Sequence, residues 1–475
     1  MKHIVIIGGG ITGLSAAWQL QQFAIQSPEG IRYTLLESSN RWGGKVWTEQ
    51  VHGFGDAPFI LEMGPDAFLT RKPWALELAH ALGLQAEIQT VRHYDQHTFV
   101  LHQGKPVPLP AGLQLLAPSR FWPFVRSPLF SAWGKIRIGL DLIIPARKNE
   151  QDESLASFVT RRMGAEALDK LAEPLLGGVY NGESEHQSML ATFPQFPALE
   201  KRHGSLIKGM RASQKQKNMN SSPVFISFKT GTQTVVDTLI AQLEGDLRLN
   251  TQVQRITQAG DRYSVQDSHG NTFEADAVIL ALPAARAADL LPEQAHIAQQ
   301  HLRNLRYSSV GTAYFAFKQM DVPHPLNGFG VVVPGSEKRL IDGMTWTTSK
   351  WDNRAPKGYV LIRLFYGGPR TRASIELTDD DLVNGLREEL RSILEVTANP
   401  VFHRICRWRD GYPQYDVGHL DRIAQIEAAL PSGLYVAGSS YKGIGVPDCI
   451  KQGQDTARQV IEYLTREALY SHAES

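Results

Sequence analysis

The stretch Ile4-Val-Ile-Ile-Gly-Gly-Gly-Ile-Thr-Gly-Leu14 decides the fold of this chain. Its first four residues are all β-branched and apolar, as in a strand that is buried on both faces of a parallel sheet. Apolar residues then recur at helical spacing as far as Phe23, and the run from Tyr33 to Leu36 is typical of a second strand. The sequence therefore predicts a βαβ unit that opens with a glycine-rich turn.

The glycines of this turn, Gly8, Gly10 and Gly13, follow the spacing Gly-x-Gly-x-x-Gly. Such a turn lets the backbone approach a pyrophosphate, which the N-terminus of the following helix stabilises. Glu37, directly after the second strand, is placed to accept hydrogen bonds from an adenosine ribose, and its charge would repel the 2′-phosphate of NADP. These residues predict a dinucleotide site, and a glycine-rich turn without a ligand is the alternative.

Two further glycine blocks favour FAD over NAD. Arg41-Trp-Gly43-Gly44-Lys45 would bring the backbone close to a cofactor a second time, which NAD enzymes do not require; an ordinary turn is the alternative. The segment from Gly438 to Pro447, with Gly445 and Val446, precedes a predicted helix. The positive end of that helix would favour the anion that reduced flavin develops near N1 and O2, and a merely capped terminal helix is the alternative.

The composition narrows the class of protein. The 475 residues exceed one hydrophobic core, so two or three folding units are expected. The 49 Lys and Arg residues balance 48 Asp and Glu residues, which argues against a nucleic-acid partner. The two cysteines, Cys406 and Cys449, are too few for a disulfide framework and suit the cytoplasm. No stretch approaches the roughly 20 apolar residues that cross a bilayer, so a soluble protein is expected, and peripheral membrane contact stays open. No metal site is expected either.

The pattern along the chain predicts an α/β protein, α+β overall, with a Rossmann-like FAD-binding domain, a mixed-sheet substrate domain and an inserted helical domain. Alternating apolar residues in 307–317 and 358–366 indicate a second sheet over a substrate cavity, and the polar stretch 208–222 predicts a mobile loop. The predicted boundaries are 1–70, 224–290 and 401–470 for the discontinuous FAD-binding domain, 71–91, 204–223 and 291–400 for the substrate domain, and 92–203 for the mainly helical domain.

Four stretches carry a family resemblance: 64–72 (GPDAFLTRK), 173–182 (EPLLGGVYNG), 192–196 (TFPQF) and 408–419 (WRDGYPQYDVGH). With the glycine blocks, they make the chain resemble the oxygen-dependent, FAD-containing coproporphyrinogen III and protoporphyrinogen IX oxidase family of the flavin amine oxidase superfamily, in its Gram-positive bacterial branch. The likeness runs nearly end to end. The cysteine that tethers flavin in some amine oxidases is not matched in 439–442, so the resemblance implies non-covalent FAD.

The resemblance also implies which residues contact FAD. They are Gly8, Gly10, Ile11, Thr12, Gly13, Leu14, Glu37, Ser38, Arg41, Gly43, Gly44, Lys45, Gly64, Pro65, Asp66, Ala67, Val253, Trp408, Gly438, Gly445, Val446 and Pro447.

The activity implied by the resemblance is a six-electron oxidation of coproporphyrinogen III, with three O₂ reduced to H₂O₂, in haem biosynthesis; protoporphyrinogen IX is the alternative substrate. The bridging carbons are good hydride donors, so positioning supplies much of the catalysis. The expected site residues are Arg71 and Lys72 for the propionates, Val179 and Tyr180 as apolar walls, and Tyr366 at the end of a cavity strand. A solvated cationic pair and plain core residues are the alternatives.

Other functions stay open. An amine oxidase would need an aromatic cage, for which Trp408, Tyr412 and Tyr415 are candidates, and a carotenoid-type desaturase is a further rival. A binding or escort protein could keep the fold without turnover. Contact with a ferrochelatase is a further expectation, and both a monomer and a homodimer fit the sequence.

The segment from Ser119 to Lys148 combines aromatic residues with six cations and one acid, Asp141. Cations and aromatics on helices can dock on an anionic membrane surface. An aromatic core stripe beneath a solvated basic face is the favoured interpretation here.

Overall fold

The computed structural model describes residues 1–26, 30–92, 97–114, 116–118, 120–217 and 224–473. The predicted βαβ unit is confirmed, with a strand at Lys2–Ile7, a helix at Ile11–Gln26 and a second strand at Ile31–Leu36. The two strands pair in parallel, and the helix buries its apolar face against them, as its spacing predicts. The glycine turn therefore lies at the carboxyl edge of a parallel sheet.

Five parallel strands form this sheet, and they come from distant parts of the chain. In spatial order they are Asp246–Arg248, Ile31–Leu36, Lys2–Ile7, Ala277–Leu280 and Leu434–Val436. Parallel strands are usually covered on both faces, as here. One face packs against Ile11–Gln26, Gln233–Gln242 and Val446–Ala473. The other packs against the strands Val253–Ala259, Arg262–Asp267 and Thr272–Ala275 and the helices Ala284–Leu290, His296–Arg303 and His419–Ala428.

The helices Ile11–Gln26 and Val446–Ala473 cross with almost no space between their backbones. A Cβ atom added to Gly453 would overlap the carbonyl oxygen of Thr12. The two ends of the sequence are therefore packed directly against each other beneath the glycine turn.

A second, mixed sheet has seven strands. In spatial order they are Phe402–Pro413, Tyr307–Lys318, Tyr359–Tyr366, Gly343–Trp346, Gly330–Val332, Thr98–His102 and Lys105–Pro108. Helix Asp379–Leu394 packs on one face of this sheet, and its N-terminus is capped by the hydroxyl of Thr378. The opposite face is turned toward the glycine turn of the parallel sheet, as the alternating pattern predicts.

Smaller sheets connect these two layers. Strands Phe68–Leu69, Phe225–Phe228 and Ile88–Thr90 form one, Thr48–Val51 pairs with Phe59–Glu62, and Leu113–Gln114 pairs with Ala117–Pro118.

A helical region with its own apolar core lies between residues 121 and 217. Its helices are Phe121–Arg126, Ala132–Gly139, Leu155–Met163, Ala165–Ala167, the π-helix Leu168–Gly177, Gly178–Tyr180, Met189–Thr192, Gln195–His203 and Leu206–Lys217. Elsewhere the helices Trp74–Ala81 and Thr347–Lys350 occur, and 3₁₀ turns span Gln85–Glu87, Leu140–Leu142, Glu293–Ala295, Gln319–Asp321, Gly335–Glu337 and Arg372–Glu376.

Three sequence expectations need correction. The predicted mobile loop is helical as far as Lys217, because Leu206, Ile207 and Met210 anchor it in the core; the rest of that stretch, 218–222, lies outside the described residues. Strand Phe402–Pro413 belongs to the second sheet, although the range 401–470 assigns it to the FAD-binding domain. Residues 98–108 also join that sheet rather than the helical region. The division into domains otherwise stays a prediction.

Across the described part of the chain, no helix is both long and apolar enough to span a bilayer.

Candidate active site

A cavity of about 1890 Å³ runs from the carboxyl edge of the parallel sheet to the inner face of the second sheet. Sites for one small ligand usually occupy about 300–1,000 Å³. The space is therefore large enough for a dinucleotide and a second, bulky ligand side by side.

The glycines of the first turn have different roles. Gly8 has a φ of +110°, and a Cβ there would overlap the carbonyl oxygen of Ala281, directly after the neighbouring strand Ala277–Leu280. A Cβ on Gly13 would overlap the carbonyl oxygen of Gly8, so Gly13 lets the helix pack against the strand. A Cβ on Gly10 would meet no protein atom within 4 Å, and Gly10 lines the cavity. The open space at Gly10, at the start of helix Ile11–Gln26, suits the close approach of a phosphate.

The second glycine block lies directly beside the first. The Gly43 amide donates to the Gly9 carbonyl at 2.8 Å, and Gly43 and Gly44 have φ values of +102° and +58°. Arg41 donates to the Gly44 carbonyl and lies 4.9 Å from the ring centre of Trp47, which fixes its guanidinium at the cavity wall. Burial lowers the pKa of Arg41, and the charge of Glu37 opposes that shift. The two blocks thus form one continuous backbone cradle.

Glu37 closes the cradle on the side where an adenosine would lie. Its carboxylate accepts the Gly9 amide at 2.7 Å and the Ser39 amide at 2.8 Å. It also accepts the Ser38 hydroxyl at 3.4 Å. A carboxylate has about four lone-pair sites, so one remains for a ribose hydroxyl. Ser38 and Val253 line the cavity beside it.

Lys45 is a cation without a carboxylate partner at the centre of the cradle. Burial lowers the pKa of its ammonium, with a smaller opposing effect from Cys449. Among the described residues, no carboxylate forms an ion pair with it, and its chain lines the cavity. A buried unpaired charge is costly. A diphosphate bound at Gly10 would supply the missing anion, so these residues fit a dinucleotide.

The segment from Gly64 to Ala67 forms the next part of the wall. A Cβ on Gly64 would overlap the carbonyl oxygen of Lys45, and Arg363 donates to the Gly64 carbonyl at 2.7 Å. The Oδ2 atom of Asp66 accepts a hydrogen bond from the Lys350 ammonium at 2.8 Å. Burial raises the pKa of Asp66, but the charges of Lys350 and Arg363 outweigh it and hold that pKa well below its usual range. The carboxylate is therefore ionised and tied to the second sheet.

The loop 438–445 completes the cofactor end, and helix Val446–Ala473 begins where it meets the cavity, as predicted. Tyr415 holds this loop, because its hydroxyl donates to the Ser439 carbonyl at 2.8 Å and accepts the Gly443 amide at 2.7 Å. The ring of His419 stacks on Tyr415 with centres 3.9 Å apart. Burial raises the pKa of Cys449, next in the wall, to about 11, so this residue is a neutral thiol.

Most of the predicted cofactor residues line the cavity. The exceptions are Gly13 and Leu14, which the prediction placed against FAD. Leu14 is fully buried in the core under the parallel sheet, and Gly13 packs on Gly8. These two residues support the turn from behind.

Four of the five predicted substrate residues also line the cavity, namely Arg71, Lys72, Val179 and Tyr180. Lys72 is already paired with Asp448 at 2.5 Å, and about half of Val179 is exposed. The Tyr180 hydroxyl donates to the Thr192 carbonyl at 3.3 Å, which leaves its ring as the wall.

The prediction for Tyr366 is wrong. Its side chain is fully buried on the opposite face of the second sheet, beside Gly311, and its hydroxyl reaches the Cys406 carbonyl at 3.4 Å. Phe365 lines the cavity instead. Successive residues of a strand point to opposite faces, so an error of one position moves a side chain out of the site.

Several lining residues were missed by the sequence analysis. Arg363 lies in strand Tyr359–Tyr366, Asp342 directly precedes strand Gly343–Trp346, and Lys350 ends helix Thr347–Lys350; these residues carry no local motif. The period-two pattern that places Phe365 on the inner face also places Arg363 there, so that residue could have been found.

Comparisons with known proteins agree with this geometry. The family model described as flavin containing amine oxidoreductase matches residues 11–461. The chain is 36% identical over 472 residues to a coproporphyrinogen III oxidase of Bacillus subtilis (strain 168), covering 98% of both chains. It is 32% identical to a coproporphyrinogen III oxidase of Staphylococcus aureus (strain NCTC 8325 / PS 47), covering 98% of this chain and 100% of that protein.

Among solved structures, a protein of Exiguobacterium sp. 255-15 that is provisionally called a protoporphyrinogen oxidase superposes with a TM-score of 0.85. It is 33% identical, and the match covers 97% of this chain and 98% of that one. The family match spans almost the whole sequence, and the cradle fits a flavin dinucleotide. The chain is thus a flavin-dependent oxidoreductase and belongs to the flavin containing amine oxidoreductase family.

Proposed function

We propose that this chain is an FAD-dependent oxidase that converts coproporphyrinogen III to coproporphyrin III in haem biosynthesis, removing six electrons and passing them to three O₂. The observation that carries the proposal is the cavity, which continues past the cofactor cradle into a compartment with apolar walls and cations. The names and full-length similarity of the Bacillus and Staphylococcus relatives support the substrate.

FAD, when bound, supplies the two-electron acceptor that O₂ regenerates. The chain's own residues place the macrocycle. Val179, Tyr180 and Phe365 present apolar surface to it, and Arg71 offers a guanidinium to its propionates. Because the substrate's bridging carbons are reactive once aligned, holding them in place is the main task of these residues.

Protoporphyrinogen IX is the second candidate substrate, and the provisional name of the Exiguobacterium structure favours it. Amine oxidation is less well supported. Trp408 and Tyr412 line the cavity, but Tyr415 does not, because its hydroxyl holds the loop at Ser439 and Gly443. The three residues therefore do not form the aromatic cage that an amine oxidase would need.

The test is a comparison of kcat/KM for coproporphyrinogen III, protoporphyrinogen IX and benzylamine with the flavin-loaded protein. We expect the highest value for coproporphyrinogen III and three H₂O₂ for each porphyrin formed. A higher value for protoporphyrinogen IX would reverse the choice of substrate. Turnover of the amine alone, or of none of the three, would contradict the proposal.

We also propose that the protein lies in the cytoplasm and docks on the anionic inner face of the cell membrane. Its two cysteines are both free thiols, as a reducing compartment requires. The docking surface is the apolar side of segment 120–148. Phe121, Trp122 and Trp133 are 59%, 65% and 80% exposed, so the favoured interpretation of a buried aromatic stripe is wrong for them. Phe124 and Phe130 are buried as that interpretation requires.

The fold itself turns this surface outward. Asp141 is fully buried. Its carboxylate accepts hydrogen bonds from the Arg162 guanidinium at 2.6 Å and from the Ser205 hydroxyl at 2.6 Å. Because Asp141 points inward, its neighbours Leu142 and Ile143 point to solvent. The only acid of the segment is thereby neutralised, and exposed cations frame the apolar residues: Arg120, Arg126 and Lys148. An exposed apolar patch with a cationic rim suits an anionic lipid surface.

Vesicle sedimentation tests the docking. Vesicles containing phosphatidylglycerol should bind the protein at low salt, and phosphatidylcholine vesicles should bind it weakly. A double variant, Trp122→Ser with Trp133→Ser, should reduce binding at least about tenfold, whereas Met320→Ser, at an 87% exposed residue elsewhere, should not. Absence of binding to anionic vesicles would contradict the proposal, and dimerisation abolished by the double variant would assign the surface to a second copy.

Contact with a ferrochelatase and the choice between monomer and homodimer stay predictions. Light scattering of the flavin-loaded protein, alone and mixed with a ferrochelatase, measures both.

A further inference from the structure

Oxidation of a porphyrinogen releases protons as well as hydrides, and the cavity must offer an acceptor for them. Each two-electron step removes one hydride from a bridging carbon and one proton. Over the three steps, two of these protons come from pyrrole nitrogens and one comes from the fourth bridging carbon. Among the described residues that line the cavity there is no histidine. A carboxylate is therefore the side chain best suited to act as a general base there.

Most carboxylates in the cavity wall are committed to other groups. Glu37 accepts two amides of the cofactor cradle, and Asp66 and Asp448 are paired with Lys350 and Lys72. Glu183 is paired with two arginines, Arg306 and Arg372. Two further carboxylates line the cavity. Glu173 accepts the Ser184 hydroxyl at 2.6 Å and lies 3.7 Å from the Arg370 guanidinium, and Glu185 is exposed to solvent.

Asp342 differs from them. Its Oδ2 accepts the Thr371 hydroxyl at 2.7 Å and the Gly368 amide at 3.2 Å, which fix the carboxylate. Its Oδ1 has Arg370 as its nearest cation, at 4.0 Å and beyond hydrogen-bond distance. Only 19% of the side chain is exposed. One oxygen is thus held in the cavity wall with spare capacity to accept a proton.

The position of Asp342 brings it to the proposed substrate. It directly precedes strand Gly343–Trp346, and its backbone amide donates to the Phe365 carbonyl at 2.8 Å. Phe365 lines the cavity on the adjacent strand. Asp342 lies one residue before Gly343, the residue that pairs with Phe365, and both Asp342 and Phe365 line the cavity. A macrocycle bound in that cavity can therefore present its pyrrole N–H groups to the Asp342 carboxylate.

We propose that Asp342 is the catalytic residue that accepts the pyrrole proton during oxidation of the porphyrinogen. This inference rests on the proposed function. In each step the C–H bond of a bridging carbon breaks, and its electron pair leaves as a hydride, which FAD would accept when bound. In one of the three steps the proton comes from the fourth bridging carbon. In the other two, the N–H bond of the adjacent pyrrole breaks, its proton moves to Oδ1 of Asp342, and its electrons enter the ring. A new C=C bond joins the bridging carbon to that ring, whose nitrogen becomes an imine.

The proton then has a path to water, and the balance closes. The Asp342 side chain is 19% exposed, so water can take the proton from it directly. Arg370, which stays protonated, lies 4.0 Å from Asp342 and 3.7 Å from Glu173. The proton that leaves Asp342 equals the one that O₂ takes up, with the hydride's two electrons and proton, to form H₂O₂. Burial raises the pKa of Asp342, with Thr371 and Arg370 opposing that shift, so the carboxylate is a better base than one in water.

The test is the rate of flavin reduction by coproporphyrinogen III without O₂, followed by stopped flow across a range of pH. In the wild type this rate should fall on the acid side, as Asp342 becomes protonated, and it should show a solvent isotope effect. Asp342→Asn should lower the rate at least about 100-fold and abolish that acid limb, because a general base contributes about 10²–10⁴-fold. Binding of the product coproporphyrin, read by fluorescence, should change less than about threefold.

Asp169→Asn is the matched control. Asp169 also accepts a hydroxyl and an amide, those of Ser336 at 2.6 and 3.2 Å, but it lies outside the cavity wall. The rate of flavin reduction in the Asp169→Asn variant should stay within about threefold of the wild-type rate. Asp342→Glu retains a carboxylate, so its rate of flavin reduction should be at least about tenfold higher than that of Asp342→Asn. A misfolded site would not regain activity in this way.

The outcomes are distinct. A wild-type flavin that porphyrinogen does not reduce overturns the proposed function and this inference with it. Reduction of Asp342→Asn at the wild-type rate, or a loss that Asp342→Glu does not recover at all, overturns the role of Asp342 and leaves the proposed function standing.

Discussion

The Nζ atom of Lys72 lies 2.5 Å from the carboxylate of Asp448, in the first turn of helix Val446–Ala473. The neighbouring Arg71 is exposed and has no ion pair with any described residue. The two adjacent cations therefore differ in their contacts. Lys72 forms an ion pair with helix Val446–Ala473 at the cofactor end, and Arg71 is available to a ligand.

Arg71→Ala should raise KM for coproporphyrinogen III about tenfold, since a lost hydrogen bond between charged groups is worth about 1.5–3 kcal/mol when buried and less at this exposed position. The bound-flavin spectrum should not change. Lys72→Ala should instead weaken FAD binding, because it leaves Asp448 unpaired beside the cofactor helix. Steady-state kinetics and flavin titration separate the two, and an unaltered KM for Arg71→Ala would remove that residue from the site.

Gly10 and Gly13 should respond to alanine in opposite ways. A methyl group on Gly10 enters open cavity, so Gly10→Ala should leave the free energy of unfolding of the flavin-free protein unchanged but raise the Kd for FAD at least about tenfold, or 1.4 kcal/mol. A methyl group on Gly13 overlaps the Gly8 carbonyl and should lower the free energy of unfolding by about 1–3 kcal/mol. Urea denaturation and flavin titration provide the measurements, and equal stability losses in both variants would refute the distinction.

Phe365 and Tyr366 test which face of their strand lines the cavity. Tyr366→Phe removes only a long bond of 3.4 Å to the Cys406 carbonyl and should leave kcat/KM within about twofold of the wild type. Phe365→Ala removes apolar wall and should raise KM for the porphyrinogen at least about fivefold, since a side chain of this size is worth about 1.5–3 kcal/mol when fully covered. The reverse ranking would mean that the strand presents its other face.

The stability of the protein should fall in mild acid through His419. Burial lowers the pKa of this fully buried histidine to about 4, from 6.5 in the unfolded chain. Below pH 6.5 the unfolded state binds the proton more readily, so the free energy of unfolding falls by roughly 3 kcal/mol between pH 6.5 and 4. His419→Gln can still donate to the Tyr441 carbonyl but has no proton to titrate. Urea denaturation at pH 7, 6 and 5 should show a shallower fall for that variant.

The cofactor end could be predicted from the sequence because its signals are local. Three glycine blocks and Glu37 each carry their own spacing, and they converge because parallel strands end at the same edge of a sheet. The substrate end could not be predicted to the same depth. In strand Tyr359–Tyr366 the single charged residue, Arg363, shares a face with Phe365, and that face lines the cavity. The prediction of Tyr366, on the other face, overlooked this signal.

The aromatic segment shows a related limit. Its composition is the same whether the rings lie inside or outside. The contacts of Asp141 with Arg162 and Ser205 hold Asp141 in the core, and its neighbours Leu142 and Ile143 are exposed. Those contacts come from residues far along the chain, which no local window contains.

The close crossing of helix Ile11–Gln26 with helix Val446–Ala473 has a consequence for biosynthesis. A ribosome adds about 5–20 residues per second, so Gly453 emerges roughly 20 to 90 s after Thr12, the residue it must touch. Throughout that interval, the apolar surface of helix Ile11–Gln26 that helix Val446–Ala473 later covers stays exposed in the nascent polypeptide. FAD can therefore bind in its complete site only after helix Val446–Ala473, which begins at the cavity wall, has been made.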